Sequence, residues 1–195
     1  THRNTSWDKA KFEVCAHKFA DISEEDYGVS FMNDCKYGYS VHGSDMSITL
    51  LKSATYPNPD ADKCEHRFVY SIYPHRGNHR SGGTDAAAYN LNVPMYAMAL
   101  GKQSGKLPCE YSFVSADCEN VIIDTVKKTE DGSGTLIRMF EAHNKRCRTH
   151  IKLGFAANKV FLADLSENKL SELKIKDGEV EIEIKPFEII TLIAE

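Results

Sequence analysis

The sequence has no long apolar run and no excess of basic residues. A membrane-spanning helix needs roughly 20 consecutive apolar residues, and no stretch of the chain approaches that length. The 24 basic and 28 acidic residues give a net charge of -4, which offers no basic surface for a phosphate backbone. The composition therefore disfavours both nucleic acids and membranes as partners.

The sequence also has no CxxC pair, although it contains six cysteines. An even number of cysteines permits disulfides, but a disulfide framework is typical of shorter secreted domains with regular spacing. We therefore expect free thiols in a reducing cytoplasm, several of them buried as small apolar residues. The polar first residues lack the apolar core of a signal peptide, which agrees with a cytoplasmic location.

Helical periodicity is scarce, and most apolar residues alternate with a period of two. The alternation is clearest in Glu179–Ile184, which predicts a strand with one buried and one solvated face. Asp177-Gly178 predicts a tight turn just before it, so we expect Leu170–Lys176 to pair with this strand as an antiparallel hairpin. Further strands are predicted over 12–20, 28–33, 46–52, 66–73, 120–128, 135–142, 149–155, 159–165 and 187–194.

Short strands separated by turn residues predict an all-β fold, with a β-sandwich from about Tyr111 to the end of the chain. One short helix is expected over Ala86–Asn92, with Thr84 or Asp85 as its N-cap. The glycine-rich and polar segment Gly101–Pro108 predicts a linker between two halves.

The most distinctive part of the chain is FEVCAHKFADISEEDYGVSFMNDCKYGYSVHG, residues 12–43. Further blocks follow it in order: SITLLKS (47–53), EHRFVYSIYPHRG (65–77), AAAYNLNVP (86–94), SFVSADCENVIIDTVKKTEDG (112–132), LIRMFEAH (136–143) and PFEIITL (186–192). Together these blocks resemble the C-terminal β-region of the cytosolic-type, zinc-dependent α-mannosidases of glycoside hydrolase family 38.

The resemblance implies a retaining enzyme that removes terminal α-linked mannose. Retention needs two carboxylates about 5 Å apart, and in this family a zinc ion also binds the sugar hydroxyls. These groups belong to an N-terminal catalytic barrel whose motifs do not occur here. The resemblance therefore implies a fragment without catalytic residues or metal ligands of its own, and the zinc would belong to the rest of the parent protein. The first residue, Thr1, is not methionine, which agrees with a fragment.

The resemblance also implies the architecture and the partners. Residues 1–108 would be the end of a large antiparallel β-sandwich, or supersandwich, and residues 109–195 a smaller immunoglobulin-like β-sandwich. The expected partners are the catalytic domain of the same chain and, through the parent, α-mannosides; a homo-oligomer is a further option. Two other functional hypotheses stay open: a stand-alone carbohydrate-binding module, and a plain immunoglobulin-like interaction domain.

The candidate site residues are Asn33, Asp34, Lys36 and Tyr37, which follow a predicted strand. Carboxylates and amides can hydrogen-bond the hydroxyls of a sugar, and aromatic rings can stack on it. A loop of this family's β-region can lie near the sugar site, so the resemblance implies a ligand-facing or domain-interface role. The alternative is a plain turn, in which asparagine and aspartate bond to nearby backbone and Gly38 supplies a positive φ.

Two other groups of polar residues have simpler interpretations. His75 and His79 have the spacing of two zinc ligands on a helix, but the proline and glycine of 74–80 predict a solvated loop. The acidic residues of 21–26, which include Asp21, predict a solvated turn because nothing in the sequence indicates that they are buried.

A region separated from its catalytic domain should expose an apolar patch where the partner would pack. Trp7, Phe12 and Phe19 are the candidate residues for this patch, since the strands near the start of the chain would lose upstream partners. The same unpaired strand edges would favour dimers between separated copies.

Overall fold

The computed structural model describes Trp7 and residues 13–195. The described residues consist mainly of antiparallel strands with one α-helix, which confirms the predicted all-β class. The chain divides into a first unit that ends at Ala99 and a second that begins at Leu100. The assignment of residues 1–108 and 109–195 to two family domains stays a prediction.

The described strands of the first unit are β1 (Glu13–Cys15), β2 (Phe19–Ser23), β3 (Tyr27–Asn33), β4 (Gly38–His42), β5 (Asp45–Ile48) and β6 (Tyr70–Arg76). They form two antiparallel sheets, with the orders β1-β4-β5 and β2-β3-β6. Helix α1 (Thr84–Asn92) lies against β3, the central strand of the second sheet. This helix therefore covers one of the two faces of the β2-β3-β6 sheet.

The first unit differs from the sequence prediction at several places. Strand β4 was not predicted, and β5 ends at Ile48, before the predicted end at residue 52. The strand expected over 12–20 is broken at Lys18, whose φ of 68° ends the extended backbone between β1 and β2. Strand β6 starts later than predicted and continues through Pro74. Proline is tolerated there because β6 is an edge strand, whose outer side needs no N–H donor. The helix is capped by Gly83, with a φ of 70° and no side-chain hydrogen bond, so the predicted cap at Thr84 or Asp85 was wrong.

The strands of the second unit are β7 (Val114–Ala116), β8 (Val121–Lys128), β9 (Thr135–Glu141), β10 (Cys147–Leu153), β11 (Val160–Ala163), β12 (Lys169–Leu173), β13 (Ile175–Lys176), β14 (Glu179–Ile184) and β15 (Ile189–Ala194). Their two sheets have the orders β13-β14-β10-β7 and β12-β11-β15-β9-β8. Fully buried side chains from both sheets form one core, among them Ile137, Met139 and Leu192 from one sheet and Ile151 and Val180 from the other. The predicted β-sandwich in this part of the chain is confirmed.

The hairpin before β14 is only partly as predicted. Asp177 and Gly178 both have positive φ, at 53° and 79°, as a two-residue turn requires. Only β13 pairs with β14, whereas β12 pairs with β11 in the other sheet. The chain thus changes sheets between Leu173 and Ile175, and both side chains pack on the shared core from opposite sides.

Candidate functional site

The candidate residues lie at the end of β3, whose last residue is Asn33, and in the connection from β3 to β4. Asn33 is 1% exposed, and its side-chain amide donates a hydrogen bond to the hydroxyl of Tyr39. Its Oδ1 accepts the N–H of Lys36 at 2.6 Å, and its backbone carbonyl accepts the side-chain amide of Asn92 at 2.9 Å. These bonds make Asn33 the residue that fixes the shape of the turn.

Asp34, Lys36 and Tyr37 lie nearer the surface in the same connection. Oδ1 of Asp34 accepts the N–H of Val69 at 3.0 Å, and this bond is the main reason that the pKa of Asp34 is lowered. The Lys36 ammonium lies 4.9 Å from the centre of the Phe68 ring. The Tyr37 side chain is 47% exposed. The structure thus brings a carboxylate, an ammonium and a phenol into one loop, and their ligand-facing or interface role stays a prediction.

A buried polar network lies between the β2-β3-β6 sheet and α1. Oδ1 of Asp21, on β2, accepts the hydroxyl of Ser30 at 2.6 Å and is 2.7 Å from Nε2 of His75 on β6. The side chains of Asp21 and His75 are only 7% and 2% exposed. The prediction of a solvated position was therefore wrong for Asp21 and for His75, whereas Glu24, Glu25 and Asp26 of the same acidic stretch are exposed as predicted. Asp21 and His75 both face the covered side of the sheet because Asp21 pairs with Ser30, and His75 with Gly28.

Two glycines make room for the His75 ring. A Cβ at Gly28 would lie 2.3 Å from Cε1 of His75, and a Cβ at Gly82 would lie 2.5 Å from its Nδ1. Real side chains do not tolerate such distances, so the backbone of both glycines must approach the ring closely. The two glycines could have indicated a buried ring, but only the strand register shows that they lie next to His75.

The network contains the residue types of a serine hydrolase triad, but it lacks the required order. Ser30 bonds to Asp21 and to Thr84, the latter at 2.7 Å, and not to His75. A nucleophilic serine must be hydrogen-bonded to the histidine that takes its proton. Ser30 and Thr84 are both fully buried, so a substrate could not reach the hydroxyl. The arrangement therefore joins all three strands of the sheet to α1, and it is structural.

The opposite face of the β2-β3-β6 sheet is apolar and partly exposed. Ile72 and Tyr70 on β6 are 67% and 51% exposed, and Tyr27 on β3 is also 51% exposed. A groove of about 460 Å³ lies over this face. It is lined by Ile22, Ser23, Glu24, Tyr27, Val29, Phe31, Ser44, Met46 and Ile72. We call this surface the apolar sheet face. It is rich in aliphatic and aromatic side chains, and α1 does not cover it because the helix lies on the other face of the sheet.

The residues predicted for an exposed apolar patch have three different outcomes. Trp7 is 76% exposed. Phe19 lies on the helix-facing side of β2, half-buried, with its ring centre 5.9 Å from that of His79. Phe12 lies outside the described residues. Among its described residues, the first unit also exposes the apolar sheet face, which was not predicted from the sequence.

Trp7 and residues 13–195 bring no three His, Cys, Asp or Glu side chains together in a way that could hold a metal ion. Within the same residues, no helix has the length and hydropathy of a membrane span.

Comparisons with family models and with known proteins all indicate the same family. Residues 1–60 match the model of the glycosyl hydrolases family 38 C-terminal domain, and residues 120–192 match that of the family 38 C-terminal beta sandwich domain. Alpha-mannosidase 2C1 of Homo sapiens is 35% identical over 198 residues, which cover 99% of this chain and 19% of that protein. Alpha-mannosidase G of Dictyostelium discoideum is 43% identical over 143 residues, 73% of this chain and 13% of the relative.

Solved structures show the same fold. The crystal structure of an alpha-mannosidase from Enterococcus faecalis V583 superimposes with a TM-score of 0.76 at 19% identity, over 97% of this chain and 22% of that one. The chain thus spans about a fifth of the length of the human relative, and the aligned segments fall in regions that the family models describe as C-terminal. The chain therefore belongs to glycosyl hydrolase family 38, and it corresponds to the C-terminal β-region of its members.

Proposed function

We propose that this chain is the non-catalytic C-terminal scaffold of an α-mannosidase that hydrolyses terminal α-linked mannose with retention. One observation carries the proposal: relatives named α-mannosidases align along nearly all of this chain, yet the chain covers only 19% of the human relative. The catalytic carboxylates and the zinc ligands would belong to the remaining part of the parent. The described residues agree with this division, because their buried Asp-His-Ser network cannot act on a substrate.

The scaffold would pack against the catalytic domain through the apolar sheet face. The other side of this sheet is already covered by α1 and holds the Asp21–His75 network. The apolar sheet face instead exposes Ile72, Tyr70 and Tyr27 beside a groove. Large contiguous apolar surfaces of this kind mark interaction sites. Burial of this face against the parent's catalytic domain is the arrangement that its chemistry favours.

The loop that contains Asn33, Asp34, Lys36 and Tyr37 would form part of the same interface or of the wall of the sugar cleft. Asn33 would fix the loop, while Asp34, Lys36 and Tyr37 would present polar and aromatic groups. α-Mannosides would be the ligand of the assembled parent. A cytoplasmic location belongs to the proposal and is supported by six cysteines that are all present as thiols; a homo-oligomer of the parent is compatible with it.

The scaffold role can be tested in the full-length parent enzyme, with residues numbered as in this chain. Ile72→Asp would place an unpaired carboxylate in the interface, which costs several kcal/mol, so we expect at least about a tenfold loss of zinc-dependent turnover or of folded enzyme. Leu170→Asp is the matched control, because Leu170 is 63% exposed on β12 of the other unit. Equal activity of the two variants would contradict the proposed interface.

The isolated chain offers a second test, which also addresses the alternative function. The exposed Tyr37 beside Lys36 and Asp34 is the observation that favours a carbohydrate-binding module. We expect no cleavage of an aryl α-mannoside by the chain alone, with or without added zinc; turnover that depends on zinc would overturn the scaffold proposal. Calorimetric binding of mannosides with sub-millimolar affinity, abolished by Tyr37→Ala, would favour the binding module instead.

A further inference from the structure

Two cysteines of the second unit are held side by side. The connection 117–120, between β7 and β8, runs along the first residues of β10. Sγ of Cys118 lies 3.4 Å from the carbonyl oxygen of Arg148, and the side-chain amide of Asn120 donates to Sγ of Cys147 at 3.5 Å. These two contacts cross from one segment to the other, so the structure holds both thiols in the same small region.

The two thiols also influence each other. Besides burial, which is the main cause, Cys118 is among the groups that raise the pKa of Cys147, as expected for thiols in neighbouring segments. Both side chains are partly buried and pack against the edge of the sandwich core. The other four cysteines of the chain are exposed. The bonds of Cys118 to Arg148 and of Asn120 to Cys147 thus distinguish this pair from the rest, because they hold two thiols in adjoining segments, as disulfide formation requires.

We propose that Cys118 and Cys147 form a reversible dithiol–disulfide site that reacts with a low-molecular-weight disulfide such as glutathione disulfide. The contact of Cys147 with Asn120 is partly buried, whereas the contact of Cys118 with Arg148 is exposed, so Cys118 is the thiol that a dissolved oxidant reaches more easily. Cys118 would therefore react first, and Cys147 would be the resolving thiol. The bond would join the β7–β8 connection to the start of β10.

The reaction balances in two exchange steps. The Cys118 thiol loses its proton, and the thiolate attacks one sulfur of glutathione disulfide, which forms a mixed disulfide and releases one glutathione thiolate. The Cys147 thiolate then attacks the sulfur of Cys118 and releases the second glutathione. The two cysteines lose two electrons and two protons, and glutathione disulfide is reduced to two molecules of glutathione.

The test uses the chain with Cys15→Ser, Cys35→Ser, Cys64→Ser and Cys109→Ser, so that only the proposed pair remains. The folded protein is equilibrated in glutathione buffers between about -150 and -300 mV, free thiols are then alkylated, and the intact mass is measured. We expect an internal disulfide in the more oxidising buffers, with the loss of two hydrogens and full reversal by dithiothreitol. The melting temperature of the oxidised form should be higher by about 5 °C or more.

Two controls distinguish a disulfide that the folded structure favours from the ordinary oxidation of an accessible thiol. Cys118→Ser and Cys147→Ser in the same background should give only a mixed disulfide with glutathione. In urea the preference for the internal bond should disappear, because the proximity of the two thiols depends on the folded sandwich. Two free thiols in every buffer, or stable glutathione adducts on the folded pair, would overturn the proposal. Should the background variant not fold, the unaltered chain is oxidised and digested, and a Cys118–Cys147 linkage is expected; linkages that involve the exposed cysteines instead would count against it.

Discussion

Replacement of Asp21 by alanine is expected to destabilise the first unit by about 2–4 kcal/mol. The substitution removes the Oδ1 atom that accepts Ser30 at 2.6 Å and lies 2.7 Å from Nε2 of His75. Ser30 retains Thr84 as a partner, so its loss is about 1 kcal/mol, the net value of one hydrogen bond. Nε2 of His75 is left buried without its partner, which costs about 1–3 kcal/mol.

The assay is urea denaturation followed by circular dichroism. With an m-value of about 2 kcal/mol per molar urea, a loss of about 3 kcal/mol lowers the midpoint of the first unit by about 1.5 M. Asp26→Ala is the matched control, because Asp26 is an exposed aspartate in the turn that follows the same strand. Exposed substitutions of this kind change stability by less than about 0.5 kcal/mol. Equal midpoints for the two variants would refute the argument that the buried carboxylate organises this sheet.

The pH dependence of stability provides an independent test of the role of Asp21. Burial alone would raise the pKa of Asp21, but hydrogen bonds from Ser30, His75 and Ser23 outweigh it and leave the pKa below its ordinary value. A carboxyl group with a lowered pKa stabilises the fold above the pKa of the unfolded state, about 3.8, and loses that contribution as the pH falls through its folded pKa. The difference between wild type and Asp21→Ala should therefore be full near neutral pH and shrink below about pH 3.8. A difference that grows in acid would contradict the assignment.

Three further predictions concern other sites. Gly28→Ala should destabilise the first unit by about 1–3 kcal/mol in urea denaturation, because its Cβ would lie 2.3 Å from the His75 ring. Glu141→Gln should cost the second unit about 2 kcal/mol in the same assay, because this buried carboxylate accepts three N–H donors and glutamine has only one acceptor oxygen. The pKa of His150, raised mainly by its hydrogen bond with Asp117, should fall toward about 6.5 in Asp117→Asn when it is followed by NMR. The stabilisation from His150 should be full below about pH 6.5 and decline as the pH rises through the folded pKa.

Strands with strict alternation could be predicted nearly to the residue. Strand β14 has the predicted bounds Glu179–Ile184. Val180, Ile182 and Ile184 are buried while the glutamates between them face solvent. Alternation in the sequence therefore predicts which side chains of a strand face the core. The same reasoning failed at Leu170–Lys176, because alternation reveals which side chains are buried but not which neighbouring strand they pair with. The change of sheets between Leu173 and Ile175 keeps both apolar side chains in the core.

The buried network could not be predicted, because its members are far apart in sequence. Asp21 and His75 meet only through the pairing of β2, β3 and β6, which joins residues 54 positions apart. Seen alone, each looks like a surface residue: Asp21 precedes an acidic turn, and His75 follows a proline. The helix cap was missed for a related reason. Thr84 has the side chain of a typical N-cap, but its hydroxyl is used by Ser30 and the cap position falls to Gly83.

The two competing functions depend on different residues of the first unit. Residues directly opposite each other on paired strands share a face, so Ile72, paired with Phe31, belongs to the apolar sheet face. Tyr37 and Lys36 instead lie in the turn that leads from β3 to β4. A scaffold that only packs on a catalytic domain should be sensitive to Ile72→Asp and tolerant of Tyr37→Ala in the parent enzyme. Loss of substrate affinity in Tyr37→Ala with normal assembly would instead mean that the loop contacts sugar, so the pair of variants distinguishes packing from recognition within one protein.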